Sequence, residues 1–143
     1  MLEVRDIHKT YEGRPLLNGV SFGVDSGEIV CLLGESGSGK STLLRIIAGL
    51  EEADMGSVWW NAQDVSAVPA HKRGFGLMFQ EYALFPHRTV EQNVAFGLRM
   101  QNLPKAEIES RTRAALQTIR MEGFASRPVT ELSGGEQQRV ALA

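Results

Sequence analysis

The sequence predicts an α/β fold to about residue 88 followed by an α-helical part over 89–143, on three observations. Residues 1–33 alternate strand-like apolar patterns with turn residues. A Gly/Ser-rich loop at 34–41 then parts an apolar run from an amphipathic stretch, and from residue 89 the apolar period becomes helical. The two parts bound the candidate domains as 1–88 and 89–143.

The elements follow in order. Leu2, Val4 and Ile7 sit in a short β-like segment, and Tyr11-Glu12-Gly13-Arg14-Pro15 is rich in turn residues. Val20, Phe22 and Val24 keep the period of two that marks a half-buried strand. After the turn at Asp25-Ser26-Gly27, Glu28-Ile29-Val30-Cys31-Leu32-Leu33 is nearly continuous in apolar residues, as expected of a strand covered on both faces. Lys40 to Leu50 reads as a helix with Leu43, Leu44, Ile46, Ile47 and Leu50 on one stripe. Val58-Trp59-Trp60 is a short strand, and Phe75 to Phe79 a second buried-type strand. Thr89 with Gln92 forms a capping box ahead of Val90, Val94 and Leu98. Pro104 suits a first helical position, Ile108, Ala115, Leu116 and Ile119 carry an apolar face, and Gly123 suits the residue after the helix. Ser133 with Glu136 caps a last helix.

Composition narrows the function. The 143 residues carry 15 Lys+Arg against 17 Asp+Glu, for a net charge of −2. That balance argues against a nucleic-acid partner, which would need clustered cationic excess. Hydrophobic residues at 43% and charged residues at 22% argue against disorder. No apolar run approaches the roughly 18 residues of a bilayer span, so the chain itself is expected to be soluble, with any membrane link made through a partner. Cys31 is the lone cysteine and forms no internal disulfide. In a buried-type strand it reads as a small hydrophobe. His8, His71 and His87 are scattered and match no metal-cage spacing. Trp59-Trp60 puts one ring on each face of its strand.

Gly34-Glu35-Ser36-Gly37-Ser38-Gly39-Lys40-Ser41 satisfies G-x-x-x-x-G-K-[ST] at every position. Its glycines allow successive N–H groups to face one concavity, and the helix that follows adds its positive end. Lys40 is placed to reach the β/γ-phosphates and the Ser41 hydroxyl to ligate Mg²⁺. The other reading is a Gly/Ser-rich surface loop; the strand before and amphipathic helix after favour nucleotide binding. The loop alone does not choose among kinases, GTPases, translocases and repair ATPases.

Leu132-Ser133-Gly134-Gly135-Glu136-Gln137-Gln138-Arg139 discriminates further. As a helix start it needs no explanation beyond Ser133 as cap. Two glycines in the first turn, though, each lower helix propensity by about 1 kcal/mol relative to alanine. They leave bare N–H groups at a positive helix end, which suits an arriving phosphate.

With these residues in place, LSGGEQQRVALA resembles the signature motif of the ABC-family ATPases, and the resemblance runs from Leu2 to Ala143. It implies a P-loop ABC-type core with an N-terminal antiparallel β subdomain and an inserted α-helical subdomain. It further implies a head-to-tail dimer in which Ser133 and Gly135 of one subunit act in trans on ATP held by Gly34, Ser36, Gly37, Ser38, Gly39, Lys40, Ser41 and Thr42 of the other. Tyr11 resembles the aromatic that stacks on adenine; by its residues alone it is a turn aromatic packed on the sheet. Gln80 resembles the glutamine that touches Mg²⁺ and the attacking water, where the plain reading is a polar strand end. Lys40, Gln80, Ser133 and Gly135 are thus the catalytic candidates, and Ser41 and Gln80 the metal candidates.

The same resemblance makes Gln80–His87 the region that meets transmembrane permease subunits, with Leu84 and Phe85 exposed for it. FQEYALFPHRTVEQNVAFGL and VPAHKRGFGLMFQ look most like bacterial importers of the polyamine, iron(III), sulfate and sugar groups. The implied location is the cytoplasmic face of the cell membrane. A soluble ABC-type ATPase of DNA repair or translation, or a non-catalytic nucleotide-binding module, are the alternatives. The family also requires, after the signature helix, an apolar strand ending in Asp (the Walker B strand), then a Glu and a later His. None of the chain's Asp residues follows such a run. The sequence therefore reads as an N-terminal fragment truncated before that strand, with weak or absent hydrolysis of its own.

Overall fold

In the computed structural model, residues 1–101 and 103–143 are described. They form two compact units, Met1–Leu77 and Met78–Ala143. Residues 78–88, grouped with the α/β part in the sequence reading, cluster with the helices instead.

The first unit is built on a four-stranded antiparallel sheet in the order β2-β1-β3-β4, from β1 (Leu2–Tyr11), β2 (Arg14–Val24), β3 (Met55–Trp60) and β4 (Gln63–Asp64). Glu12 and Gly13 close the β1–β2 hairpin at φ 49° and 76°, the positive pair that a two-residue turn needs to match strand twist. Leu2 pairs with Val24 and Val4 with Phe22 on one side of β1, and Val4 faces Val58 on the other. Helix α1 (Lys40–Ala48) lays Leu43, Ile46 and Ile47 on Val4, Ile7, Leu17, Val58 and Val65 to form the core. The short helix α2 (Ala70–Arg73) ends the regular part of this unit. Trp60 meets Phe75 edge-on at 5.2 Å, and the Arg5 guanidinium covers Trp59 at 4.2 Å, so both rings of the Trp pair are used.

Two predicted strands do not form. Residues 29–33 and 75–79 enter no hydrogen-bonded ladder, and Ile29, Leu33, Cys31 and Phe79 are exposed, Ile29 by 95%. An apolar run becomes a buried strand only when neighbours satisfy its N–H and C=O groups on both sides. Among the described residues no strand pairs with either run. Cys31 is accordingly an exposed thiol, not a core residue.

The second unit holds α3 (Val90–Met100), α4 (Lys105–Thr118) and α5 (Gly134–Leu142), with 3₁₀ turns at Glu122–Phe124 and Val129–Glu131. Val90, Leu116, Met121, Val129, Leu132 and Val140 form its core. Thr89 and Gln92 make the predicted capping box. Pro104 is the cap of α4, not its first residue. The helix ends at Thr118, and Arg120, at φ 57°, takes the left-handed position assigned to Gly123, which lies in a 3₁₀ turn. No helix among the described residues is long and apolar enough to cross a membrane.

Candidate functional site

The loop from Gly34 to Gly39 leads into α1, and its shape depends on glycine at two points. Gly39 caps the helix at φ 89°, where a Cβ would lie 2.7 Å from Leu17 Cδ2 and 3.1 Å from Leu16 Cγ. Gly34, at φ 155°, sits where a Cβ would meet Ser38 Oγ at 2.8 Å. The end of the loop therefore rests against Leu16 and Leu17 of β2, and its start closes on Ser38, with no room for a side chain at Gly39 or Gly34.

Lys40 folds over this loop. Its ammonium donates to Gly34 O at 2.8 Å, Glu35 O at 2.6 Å and Ser38 Oγ at 3.2 Å. A cation held by carbonyls and a hydroxyl, with no carboxylate among these partners, keeps its charge available to an incoming anion. The amides at the start of α1 lack intrahelical acceptors, as at any helix N-terminus, so positive charge converges on the loop from the side chain and the backbone together. Ser41 is exposed in the first turn, whereas Thr42 is buried at 5% and its Oγ1 accepts from Arg45 at 3.4 Å. Among the described residues no cluster of three His, Cys, Asp or Glu side chains could hold a metal. The Ser41 hydroxyl is a hard oxygen donor of the kind Mg²⁺ takes alongside phosphate oxygens and waters, so the residues present fit that ion as a single-point contact.

Tyr11 ends β1 with its ring 44% exposed and its hydroxyl donating to Glu51. Glu51 also meets Arg45 Nε of α1 at 3.3 Å and Lys9 Nζ at 3.9 Å. The ring is thus half-open in the same unit as the loop, tethered at its hydroxyl to the ion cluster beside α1, with Lys9 Nζ over it at 5.5 Å. Sequence reasoning named Tyr11 but missed Glu51, whose partners come from separate elements.

The other candidates lie in the second unit. Gln80 is exposed in a tight turn, where Tyr82 and Ala83 take φ 58° and 50° and Tyr82 N–H donates to Phe79 O at 3.0 Å. Asn93 of α3 holds the next residues: its Oδ1 accepts from Phe85 N–H at 2.8 Å and its amide donates to Thr89 O at 2.9 Å. Phe85 stacks on Phe96 at 4.5 Å and remains 39% exposed, with Arg88 over both rings. Leu84, expected to be exposed, instead packs partly buried on the second core.

At the start of α5, Glu136 accepts from both the Ser133 hydroxyl at 2.7 Å and the Ser133 N–H at 2.8 Å. Gln137 braces the same corner by donating to Val129 O and Leu132 O at 3.1 and 3.3 Å, a role no local pattern announces. A Cβ at Gly134 or Gly135 would meet nothing within 4 Å, so no neighbour among the described residues requires glycine there. Their bareness is free to serve an external group.

The Ser133 hydroxyl and amide hold the Glu136 carboxyl below its ordinary value of 4.5. With the folded value lowered, this contribution is present above the unfolded value and is lost as pH falls through the folded one. In a carboxyl-resonance titration Glu136 is expected to show a midpoint below 4.5 that rises in Ser133→Ala. A midpoint unchanged by that substitution contradicts the capping assignment.

The family model described as "ABC transporter" matches residues 17–143. The chain is 48% identical over 143 residues to a spermidine/putrescine import ATP-binding protein, PotA, of Haemophilus influenzae, covering all of this chain and 38% of the relative. It is 51% identical to the putrescine transport ATP-binding protein PotG of Escherichia coli, with the same coverage. Among solved structures it matches a dimeric ATP-binding cassette, MJ0796, bound to ADP and Pi in a post-hydrolysis state, with a TM-score of 0.86 and 30% identity over 99% of this chain and 67% of the other. The chain thus spans a little over a third of the length of the curated relatives it matches.

Proposed function

This chain belongs to the ABC transporter family, and from that premise we propose that it is the nucleotide-holding and signature-bearing part of an importer's ATP-binding subunit. The observation that carries the reading is the presence of two unlike phosphate-seeking helix starts, one in each unit: α1 behind a glycine-pinned loop with Lys40 laid over it, and α5 opening on two glycines that no neighbour among the described residues demands.

In this reading Gly34, Ser36, Gly37, Ser38 and Gly39 present backbone N–H groups to the phosphates of ATP. Lys40 leaves the carbonyls of Gly34 and Glu35 to pair with phosphate oxygens, Thr42 extends the amide row, and Tyr11 stacks on adenine. Bound ATP would supply the transferable phosphoryl group, and its phosphate oxygens would carry Mg²⁺ into the site. Ser41 would add one hydroxyl to that shell and Gln80 one amide oxygen. Ser133 and Gly135 act on nucleotide held by a second copy, head to tail; a relative solved as a dimer with ADP and Pi supports that arrangement. Gln80–His87, with Phe85 half-open on its surface, is the segment offered to a permease, which keeps the subunit on the inner membrane face. The names of the polyamine-import relatives support small polyammonium cations as the cargo.

Calorimetric titration of the chain with ATP and Mg²⁺ tests the reading. Saturable binding, strengthened by Mg²⁺ and absent for the nucleoside adenosine, is expected; equal affinity for adenosine and ATP sinks the phosphate assignment.

A further inference from the structure

Arg73 is the last residue of α2 and is only 9% exposed, yet among the described residues no carboxylate lies within ion-pair distance of it. Its guanidinium is spent on backbone oxygens. Nη1 donates to Ile46 O at 3.0 Å and Ile47 O at 2.9 Å, Nε to Val68 O at 2.6 Å and Nη2 to Ser66 O at 2.7 Å. The first two acceptors are carbonyls in the last turn of α1, at the negative end of the helix dipole, where the regular i→i+4 ladder runs out. A planar fork with several fixed donors can span two chain segments in this way; a single ammonium cannot.

Gly49 belongs to the same device. It ends α1 at φ 78°, and its N–H returns to Ile46 O at 3.1 Å. A Cβ there would lie 2.7 Å from Arg73 Cζ. Glycine is thus required twice, for the left-handed turn and for room beside the guanidinium.

The helix held this way is the one whose other end carries Lys40 and Ser41. Over its nine residues it is about 13 Å long, so a tilt at the clamped end is carried along the rod to the phosphate-facing amides. Beyond Arg73 the chain passes Gly74, left-handed at φ 72°, and enters the stretch without ladder bonds that runs on to Gln80. Arg73 is the last side chain before that stretch tied into the sheet unit by hydrogen bonds.

We propose that Arg73 is a positioning residue of the phosphate site, acting through α1: its four-carbonyl clamp, with clearance supplied by Gly49, fixes the helix axis and so the placement of Lys40, Ser41 and the loop amides. The proposal rests on the reading that Gly34–Ser41 hold nucleotide phosphate.

The test compares Arg73→Met, Arg73→Lys and Gly49→Ala with Val58→Ala, a core truncation that loosens the packing under α1 and removes none of the clamp's hydrogen bonds. Affinity for magnesium-ATP is measured by calorimetry well below each variant's Tm, and amide hydrogen exchange is followed across α1. Arg73→Met and Gly49→Ala are each expected to weaken affinity roughly tenfold, with the double variant no weaker than the worse single one. Arg73→Lys, which keeps the charge and loses the fork, is expected to weaken affinity nearly as much and to raise exchange at Ile46 to Leu50. Val58→Ala is expected to lose Tm while holding affinity within about twofold.

Should Arg73→Met fail to fold, Arg73→Lys and Gly49→Ala carry the comparison. Wild-type binding with variant affinities within twofold of it, or affinity losses in Val58→Ala equal to those at Arg73, overturn the proposal. A wild-type chain that does not bind ATP is a different failure: it removes the nucleotide reading itself, and the positioning role with it.

Discussion

Lys40→Ala is expected to lower affinity for magnesium-ATP by roughly 100-fold while leaving the fold intact. The size follows from two charge-assisted hydrogen bonds to phosphate, each of about 1.5–3 kcal/mol, partly offset by the bonds Lys40 gives up. Those bonds are the ones to Gly34 O, Glu35 O and Ser38 Oγ, near the surface, where water replaces the lost donor at little cost. Stability should therefore move little, because Lys40 contributes nothing to the core of Val4, Ile7, Leu43 and Ile46. Calorimetry on the substituted chain gives the result directly. Unchanged ATP affinity refutes the site, and a large drop in Tm shows that Lys40 holds the fold and not only the ligand.

Gly56→Ala is expected to act on stability first, by damaging the sheet. Gly56 lies in β3 at φ 94°, and a Cβ there would overlap the Asp6 carbonyl, 2.5 Å from its carbon, and would lie 2.6 Å from Arg5 O. Those atoms are backbone of β1 at an irregularity in the β1–β3 register, between Arg5 and His8, so they cannot rotate away as a side chain would. Backbone strain and overpacking together should cost about 3–5 kcal/mol. For a unit of this size even the lower figure lowers Tm by roughly 12–24 °C. Thermal unfolding followed by circular dichroism decides it; a shift below a few degrees means that β1 and β3 do not approach as closely as described.

The resemblance to a family was legible because its motifs are local. A phosphate loop is eight consecutive residues, and the start of α5 is another eight, so each can be read without knowing where anything else lies. The capping boxes at Thr89 and Ser133 and the hairpin turn at Glu12-Gly13 are likewise short-range hydrogen-bond arrangements. The braces of the site were not legible. Glu51 under Tyr11, Asn93 behind Phe85, Gln137 under Ser133 and Arg73 on α1 each join residues whose spacing follows no period. Leu84 was misread for a related reason: an apolar residue in a Pro-containing loop looks the same whether it faces a partner or its own core.

The sequence by itself thus determined the glycine-rich loop at 34–39, the lysine and hydroxyl that follow it, and the capping boxes that open α3 and α5. Those properties depend on side-chain type and on conformations only glycine allows over a few residues. Tertiary structure alone decided which apolar runs become strands. Ile29–Leu33 and Phe75–Phe79 have the composition of buried strands, but a ladder exists only where a second chain segment supplies donors and acceptors, and the described sheet supplies none to either. Tertiary structure also decided that a buried cation would be satisfied by carbonyls in place of a carboxylate, because helix α1 happens to end where Arg73 begins.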